Sequence, residues 1–315
     1  MRHVRLEEMR SGEFGRTALT IGNFDGVHRG HQQVLRRLKL AAKKEDLPAT
    51  VITFEPHPVQ VLYPGKGLQM IHTYKQRADL LARYGVENLV TVEFTKEVAA
   101  TTAEQWVVEV MIEKLRVETL IMGYDFSFGR GGDGDAKHLI QLGRKYGFSV
   151  EQVPALVIDG RPISSSRIRR LIAAGEMALV MNLLGRPFHV TGEVIKGDGR
   201  GRQLGIPTAN IDHEAAMLPH VGIYGGVVVT DGEYCPAAIN VGCNPTFDQT
   251  RLHIEAHILD FEGDLYGKNI EVHFLRRLRD ERKYQSADQL VAAIKKDIDN
   301  ARQLFHGQSA KDWLT

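Results

Sequence analysis

Apolar and polar positions alternate in two different ways along the chain. From Thr17 to about Gly185, short apolar runs are separated by stretches in which apolar residues recur every three or four positions. The runs ALTIGNF, ATVITFEP, ENLVTVEF, VETLIMGY and FSVEQVPAL predict β-strands, and HQQVLRRLKLAAKKE, AEQWVVEVMIEKL and KHLIQLGRKYG predict amphipathic helices. Strands that alternate with helices indicate an α/β fold, a doubly wound parallel sheet with helices on both faces.

After Gly185 the helical stretches disappear and strand-like runs follow one another directly. Turns rich in Gly, Asp and Pro separate the runs PFHVTGEVIKG, YGGVVVTDG, CPAAINVG, RLHIEAHILDF and NIEVHFLRRLR, which predicts an antiparallel β-barrel. A terminal helix is predicted to begin after Ser286 as its cap and to turn four apolar residues toward the core: Leu290, Ile294, Ile298 and Leu304. We therefore predict an α/β domain over residues 1–185 and an all-β domain with a terminal helix over residues 186–315.

The composition excludes several classes of protein. Of 315 residues, 43% are hydrophobic and 25% are charged, and the formal net charge is only +1. Such a small charge gives no field to attract nucleic acid or an anionic membrane, so we expect neither as a partner. Cys235 and Cys243 are too few for a disulfide framework and are predicted to be reduced thiols. No apolar leader or membrane-length segment is present, which favours a cytoplasmic protein.

Residues 20–31, TIGNFDGVHRGH, join the first predicted strand to the first helix. A glycine-rich turn at this place points backbone N–H groups and the positive end of the helix dipole toward an anion such as phosphate. His28 and His31 add two side-chain donors at the helix entrance, and the spacing fits neither the P-loop nor the dinucleotide-binding fingerprint. Two other interpretations stay open here. One histidine caps the helix while the other is exposed, or the pair binds a metal, although no third protein ligand is evident nearby.

The stretch GNFDGVHRGH resembles the HxGH signature of the nucleotidylyltransferase superfamily, in the form found in bacterial bifunctional riboflavin kinase/FAD synthetases. The resemblance implies that His28 and His31 bind ATP phosphates and stabilise charge as the α-phosphate is attacked and pyrophosphate leaves. It also implies nucleotide or flavin binding by residues around them: Gly22, Phe24, Asp25 and Gly30.

Two further segments of the first domain resemble the same family. ISSSRIRR, before a predicted helix, implies phosphate contacts from its serines: Ser164, Ser165 and Ser166. Ser166 stands where the family usually has threonine, and it keeps the hydroxyl. Arg169 is expected to neutralise the leaving pyrophosphate. GYDFSFGRGGDGD resembles the family's nucleotide and flavin loop, in which Asp125 is expected to bind rather than to catalyse.

In the second domain, GDGRGRQLGIPTANI resembles the riboflavin kinase signature. Thr208 and Asn210 are two residues apart on a predicted extended segment, so their oxygen-bearing side chains point to the same face. A hydroxyl and an amide suit Mg²⁺, which shares its remaining positions with water and nucleotide phosphates. We therefore predict Thr208 and Asn210 as metal ligands. The glycines before them are expected to close over the nucleotide: Gly197, Gly199 and Gly201.

The run LHIEAHILDF alternates, so that its apolar residues share one face and Glu255 lies on the other between His253 and His257. The resemblance implies that Glu255 is the catalytic base. It would take the proton from the ribityl 5′-hydroxyl of riboflavin as that oxygen attacks the γ-phosphate of ATP. NVGCNPTF and LYGKNIEVHFLRRLRDERKY also resemble the riboflavin kinase family, and Arg279 in the second segment is predicted to bind flavin. His253 and His257 receive no role.

The resemblance covers nearly the whole chain and predicts two successive reactions, both with ATP. The barrel would phosphorylate riboflavin to FMN with Mg²⁺, and the sheet domain would adenylylate FMN to FAD. Two alternatives are a nucleotidylyltransferase for another phosphorylated metabolite, with a barrel that only binds, and a flavin-sensing or nucleic-acid-binding regulator built on an inactive enzyme. Intact Thr208, Asn210 and Glu255 argue against both. The sequence leaves the oligomeric state open.

Overall fold

The computed structural model describes residues 1–197, 199, 201, 204–215, 217–246 and 249–314, and it describes no side chains for residues 244–246 and 249–251. The chain forms two units by packing. The first consists of Met1–Met70 and Tyr74–Ser165, and the second of Ile71–Thr73 and Ser166–Thr315. The domain boundary expected after residue 185 stays a prediction. Units defined by packing need not have the same bounds as domains defined from the sequence.

A parallel sheet of six strands forms the centre of the first unit. The strands are β1 Arg2–Arg5, β2 Thr17–Ile21, β3 Ala49–Glu55, β4 Asn88–Glu93, β5 Val117–Met122 and β6 Ser149–Gln152. Their order is β1-β4-β3-β2-β5-β6, and every neighbouring pair runs parallel. The predicted doubly wound α/β fold is confirmed, with one edge strand, β1, that the pattern did not predict.

Apolar clusters cover both faces of this sheet. On β2, Leu19 packs into one cluster and its neighbour Ala18 into the other. On β5, Leu120 and Ile121 divide in the same way. Because successive side chains of a strand point to opposite faces, the two clusters lie on opposite sides of the sheet. Burial on both sides explains why apolar residues occupy successive positions of these strands, without the alternation of a strand that has one exposed face.

The helices of the first unit are α1 Arg29–Glu45, α2 Pro58–Leu62, α3 Tyr74–Arg83, α4 Lys96–Ala100, α5 Ala103–Trp106 and α6 Ala136–Tyr146. A π-helical segment, Val107–Ile112, continues α5, short 3₁₀ turns cover Pro64–Lys66 and Arg130–Gly132, and a hairpin of β7 Val157–Ile158 and β8 Arg161–Pro162 follows the sheet. Side chains of His28, Thr95 and Asp135 accept backbone N–H groups at the starts of α1, α4 and α6. These caps explain where the three helices begin.

The second unit contains a closed antiparallel barrel. Two helices precede it: α7 Ser165–Ala174, which begins at the last residue of the first unit, and α8 Met177–Leu184. The barrel strands are β9 Phe188–Ile195, β10 Ala209–His213, β11 Gly222–Thr230, β12 Glu233–Thr246, β13 Gln249–Ile258 and β14 Asn269–Arg279. They close in the order β10-β13-β12-β11-β14-β9. The predicted all-β domain is confirmed.

The terminal helix, α9 Ala287–Gln303, begins as predicted, with the Ser286 side chain accepting the backbone N–H of Gln289. A short 3₁₀ turn, Lys311–Trp313, follows it. The residues expected to face the core are only half-buried: Leu290, Ile294, Ile298 and Leu304. Asp297 is buried instead, because its carboxylate accepts two hydrogen bonds from Arg279, from Nε at 2.9 Å and from Nη2 at 2.6 Å. Such a paired geometry offsets the cost of burying a carboxylate.

Three histidines form a column in the second unit. His72, in the segment Ile71–Thr73, lies 5.3 Å from His189, and His189 lies 4.8 Å from His273, measured between ring centroids. His189 and His273 are cross-strand partners on β9 and β14, and the His273 ring contacts the Glu271 carboxylate at 2.9 Å. His72 is 2% exposed, and neither of its ring nitrogens has a hydrogen-bond partner among the described residues. Protonating His72 would therefore bury an unpartnered charge.

Acid is expected to destabilise the protein through His72. The pKa of His72 is held well below its ordinary 6.5, mainly by burial and then by electrostatic interaction with Arg186, His189 and His273. Glu271 is the acidic group at the far end of the column. Below about pH 6.5 the unfolded chain binds a proton that folded His72 does not, so the free energy of unfolding falls by up to about 1.4 kcal/mol per pH unit. We expect His72→Phe to flatten the dependence of the melting temperature on pH below about pH 6.5. Equal slopes for the two proteins would contradict this assignment.

Candidate functional site

The carboxyl ends of three neighbouring strands carry the motifs of the first unit. GNFDGVHRGH begins just after β2, PHP follows β3, and GYDFSFGRGGDGD follows β5. Because β3, β2 and β5 are adjacent and parallel, their carboxyl ends lie at the same edge of the sheet. The three loops therefore converge at this edge of the first unit.

The two histidines of the first motif stack on each other. The ring centroids of His28 and His31 are 3.6 Å apart, and the planes are inclined by 15°. His28 is the N-cap of α1, and its Nδ1 accepts the backbone N–H of His31 at 3.2 Å. A neutral His28 ring therefore carries its proton on Nε2. The first turn of α1 has no acidic residue, which suits an anion at this end of the helix.

The geometry bears on both alternative interpretations of the histidine pair. The capping interpretation holds for His28, whereas His31 is half-buried and lies with its ring 5.1 Å from the Phe24 ring. Among the described residues, no group of three or more His, Cys, Asp or Glu side chains is arranged to hold a metal ion. Capping by His28 uses Nδ1, whereas an anion would be bound through Nε2, so the two roles do not compete.

Rare backbone conformations shape the loop between β2 and α1. Phe24 and Val27 have φ angles of 49° and 40°, in the left-handed region that bulky and β-branched residues rarely adopt. Each costs on the order of 1–3 kcal/mol, which surrounding contacts must offset. Gly22 and Gly30 permit close packing here. A Cβ at Gly22 would lie 3.2 Å from the Phe24 ring, and one at Gly30 would lie 3.2 Å from the His28 ring.

Asp25 lies within this loop and is buried, with 1% of its surface exposed. Its backbone carbonyl accepts a hydrogen bond from Ser165 Oγ at 2.9 Å, which brings one serine of ISSSRIRR against the first motif. Ser164, the preceding residue, is half-buried. The buried carboxylate makes Asp25 part of the loop's framework, and its contact with a ligand stays a prediction.

Ser166, Arg169 and Asp125 are the remaining residues predicted for the first site. Ser166 and Arg169 belong to the second unit and lie one turn apart on α7, where Arg169 Nη1 donates to Ser166 Oγ at 3.5 Å. Asp125 is exposed in the loop after β5. Partial burial and then Asp125 raise the pKa of the neighbouring Tyr124. Ligand contacts by Ser166, Arg169 and Asp125 stay predictions.

The barrel brings Asn210 beside Glu255. Asn210 on β10 pairs with Glu255 on β13, and Glu255 pairs with Asn240 on β12. Directly opposed residues on antiparallel strands have Cβ atoms about 4.5–5.5 Å apart and point to the same face. The three side chains therefore form a polar row across three strands. Asn240 was not predicted from the sequence, although it begins NVGCNPTF, one of the segments that resemble the riboflavin kinase family.

Glycines make room for both predicted metal ligands. A Cβ at Gly197 would lie 2.2 Å from the amide nitrogen of Asn210, and one at Gly201 would lie 3.2 Å from Thr208 Oγ1. Gly199 has a φ of 71°, which favours glycine. Residues 198, 200, 202 and 203 of the same motif lie outside the described residues. The closure of this loop over a nucleotide therefore stays a prediction.

Two histidines flank Glu255 on the same face of β13. His257 Nδ1 donates to the carbonyl of Pro207 at 2.8 Å, which ties β13 to the residue before Thr208. His253 Nε2 lies 3.7 Å from Glu255 Oε1, too long for a hydrogen bond but within ion-pair distance. The apolar residues between these polar ones are buried, as the alternation predicted. The anchoring role of His257 was missed because its partner is a backbone carbonyl distant in sequence.

Arg279, predicted to bind flavin, forms the ion pair with Asp297 and also donates to the carbonyl of Asp280 at 2.8 Å. Its side chain is 21% exposed, and its contact with flavin stays a prediction.

An open pocket of about 400 Å³ follows β14 and is lined by Arg282, Tyr284, Gln285, Ser286, Ala287 and Leu290.

A buried arginine in the first unit was also not predicted from the sequence. Arg77 on α3 is 3% exposed, and its Nη1 donates to the carbonyl of Asn23 in the first motif at 3.0 Å. An arginine in an amphipathic helix is ordinarily read as exposed. No signal in the sequence distinguishes this one from its exposed neighbours.

Comparison with known proteins identifies both halves of the chain. The family model described as FAD synthetase matches residues 11–167, and that described as riboflavin kinase matches residues 184–305. The bifunctional riboflavin kinase/FMN adenylyltransferase of Escherichia coli K12 is 38% identical over 288 residues, which are 91% of this chain and 92% of that protein. The protein of the same name from Pseudomonas fluorescens is 37% identical over 286 residues, 90% of this chain and 92% of that protein.

A solved structure has the same architecture. It belongs to a Streptococcus pneumoniae protein named "Macrolide-efflux Protein", with a TM-score of 0.88 and 31% identity over 96% of this chain and 99% of that one. Among the described residues, every helix is too short or too polar to span a lipid bilayer. The E. coli relative, matched over nearly its full length, carries both activities in its name. The chain therefore belongs to the bifunctional riboflavin kinase/FMN adenylyltransferase family.

Proposed function

We propose that this chain performs two successive steps of flavin cofactor synthesis. In the second unit, ATP and riboflavin give FMN and ADP, and in the first unit, ATP and FMN give FAD and pyrophosphate. The register that pairs Asn210 with Glu255 carries the proposal, because a metal ligand and a catalytic base then stand side by side on one barrel. A barrel that served only for binding would not need that pair.

In the kinase step, Glu255 accepts the proton of the ribityl 5′-hydroxyl while that oxygen bonds to the γ-phosphorus of ATP. The bond between this phosphorus and the bridging oxygen breaks, and ADP leaves. The Glu255 side chain is 33% exposed, so a substrate hydroxyl can reach it. His257 supports the step indirectly, since its bond to Pro207 fixes the start of the neighbouring segment.

Thr208 and Asn210 would hold the magnesium ion. Their hydroxyl and amide oxygens are ligands that Mg²⁺ accepts. Because glycine has no side chain, Gly197 and Gly201 leave space beside them. When bound, Mg²⁺ neutralises charge on the nucleotide phosphates. The residues fit this ion better than a transition metal, since the chemistry of both ligands is that of hard oxygen donors.

Gly197→Ala is expected to lower FMN formation about 10- to 100-fold, because displacement of a metal ligand or its support costs that much. The new Cβ would force the Asn210 amide away from its present place. Titration of the riboflavin kinase rate with Mg²⁺ should show a raised Mg²⁺ requirement, with FAD formation from FMN unchanged. Gly65→Ala serves as the control, because a Cβ there would meet no atom within 4 Å. A normal Mg²⁺ requirement in the Gly197 variant would contradict the assignment of Asn210.

In the adenylyl transfer step, a phosphate oxygen of FMN bonds to the α-phosphorus of ATP, and the bond to the pyrophosphate oxygen breaks. Backbone N–H groups at the start of α1, together with His28 and His31, stabilise the charge that develops. The serines of ISSSRIRR contact the phosphates, and Arg169 neutralises the leaving pyrophosphate. Gly22, Phe24 and Asp125 contact the nucleotide and the flavin.

The two alternatives are less well supported. A nucleotidylyltransferase for another metabolite leaves the polar row around Glu255 unexplained. A nucleic-acid-binding regulator is not favoured by a net charge of +1. Because both steps consume ATP, we propose the cytoplasm as the place of action.

The proposal is tested by supplying each flavin alone with ATP and Mg²⁺. Riboflavin alone should yield ADP before any pyrophosphate, whereas FMN alone should yield pyrophosphate without ADP. Chelation of Mg²⁺ should stop FMN formation. Absence of pyrophosphate with FMN, or of ADP with riboflavin, would remove the corresponding half of the proposal.

A further inference from the structure

Arg77 is a buried cation that joins two strand ends of the first unit. Its Nη1 donates to the carbonyl of Asn23 at 3.0 Å, just after β2. Nη1 and Nη2 donate to the carbonyl of Phe54 near the end of β3, at 3.4 and 3.3 Å. The guanidinium carbon lies 4.8 Å from the centre of the Tyr74 ring. One planar side chain therefore links the loop before His28 to the neighbouring strand.

Packing alone does not explain a charge at this position. Burial lowers the pKa of the Arg77 guanidinium, and Tyr74, Asp25 and Glu55 oppose that shift. Removing a cation from water is unfavourable, and hydrogen bonds and nearby acidic groups only partly offset that cost. A neutral donor would satisfy either carbonyl at a lower desolvation cost. The fork of an arginine, however, holds both carbonyls at once.

The loop that Arg77 contacts needs restraint at both ends. Phe24 and Val27 have left-handed backbone conformations, so an unrestrained loop would relax away from its present shape. At the end near α1, Gln32 Nε2 donates to the Val27 carbonyl at 2.9 Å. At the end near β2, Arg77 holds the carbonyl of Asn23. Loss of Arg77 would free the strained segment on the side where the strand ends.

We infer that Arg77 is a positioning residue for adenylyl transfer, which fixes the loop that aims His28 and the N–H groups of α1 at the nucleotide phosphates. The inference rests on the proposed FMN adenylyltransferase function of the first unit. Arg77 acts through the loop and does not touch the phosphates. A misplacement of catalytic groups by about 1 Å can cost about 100-fold in rate. The loss of Arg77 therefore lowers kcat more than it weakens substrate binding.

The test uses the full chain with Arg77→Met, which removes the donors, and Arg77→Lys, which keeps the charge but not the fork. Initial rates of FAD formation from FMN give kcat and KM, and FMN formation from riboflavin is measured in the same preparation. For Arg77→Met we expect kcat of FAD formation to fall about 10- to 100-fold, with KM for FMN and the kinase rate nearly unchanged. Arg77→Lys should recover part of kcat. Arg83→Met, at an exposed position of the same helix, is the matched control.

Three results would overturn the inference. The first is a wild-type kcat in Arg77→Met. The second is a raised KM with unchanged kcat, which would assign Arg77 to substrate binding. The third has two parts. The loss of FAD formation in Arg77→Met equals its unfolded fraction, measured by circular dichroism at the assay temperature, and Arg77→Lys recovers no kcat. A wild-type chain that makes no FAD would overturn the proposed function instead, so the two failures are distinguishable.

Discussion

His31→Ala is expected to abolish FAD formation while FMN continues to form from riboflavin. The ring of His31 stacks on that of His28 at the positive end of α1, where the proposed reaction develops charge on the phosphates. Loss of one aimed donor costs about 2.7–4 kcal/mol, or roughly 100- to 1000-fold in rate. A variant supplied with riboflavin and ATP should therefore accumulate FMN, which chromatography of the flavins detects.

His28→Asn separates capping from catalysis at the same site. Asparagine is a good N-cap, so the start of α1 and the melting temperature should be preserved. The variant lacks the ring nitrogen opposite the cap, and FAD formation should fall as strongly as in His31→Ala. Full FAD formation by His28→Asn would show that His28 only caps the helix.

Glu255→Gln is expected to abolish FMN formation and to leave conversion of supplied FMN to FAD intact. The amide keeps the size of the side chain between Asn210 and Asn240 but cannot take the proton of the ribityl hydroxyl. A positioned general base contributes about 100- to 10,000-fold, so the kinase rate should fall within that range. The rate is measured as ADP released with riboflavin as the only flavin.

Glu262→Gln is the matched control for this variant, because Glu262 is exposed elsewhere in the second unit. It should keep both activities. If Glu255→Gln and His31→Ala each reduced both activities equally without unfolding the protein, the assignment of two separate sites would be wrong.

The strands of both units could be predicted because their periodicity is local. Strands buried on two faces carry apolar residues at successive positions, whereas β13 alternates because one of its faces is polar. The edge strand β1 was missed because only one of its four residues, Val4, is apolar, and an edge strand in this position depends on its neighbour for pairing. Periodicity shows which residues are buried, but it cannot show a pairing between distant strands.

Buried charges and rings were beyond the reach of the sequence for a related reason. Asp297, Arg77 and His72 are polar residues whose burial depends on partners far along the chain. Hydropathy predicts exposure for each of them, because an unpaired polar group is costly to bury. The four apolar residues expected to face the core from α9 are half-buried, while Asp297 occupies the buried side of the helix.

The candidate sites were predictable where the motif is continuous. GNFDGVHRGH revealed His28 and His31, but the stacking of their rings and the cap made by Nδ1 depend on the geometry of α1. Likewise, Thr208 and Asn210 were found from their spacing, whereas the pairing of Asn210 with Glu255 required the barrel register. Chemistry-bearing residues are visible in a sequence, and their neighbours across strands are not.

The most direct test of the two-step assignment is a time course of purified protein with riboflavin, ATP and Mg²⁺, followed by chromatographic separation of the flavins. We expect FMN to appear first and FAD to follow as FMN becomes available. Accumulation of FMN without FAD would contradict the role of the first unit. Absence of any product from riboflavin, together with FAD from supplied FMN, would contradict the role of the second.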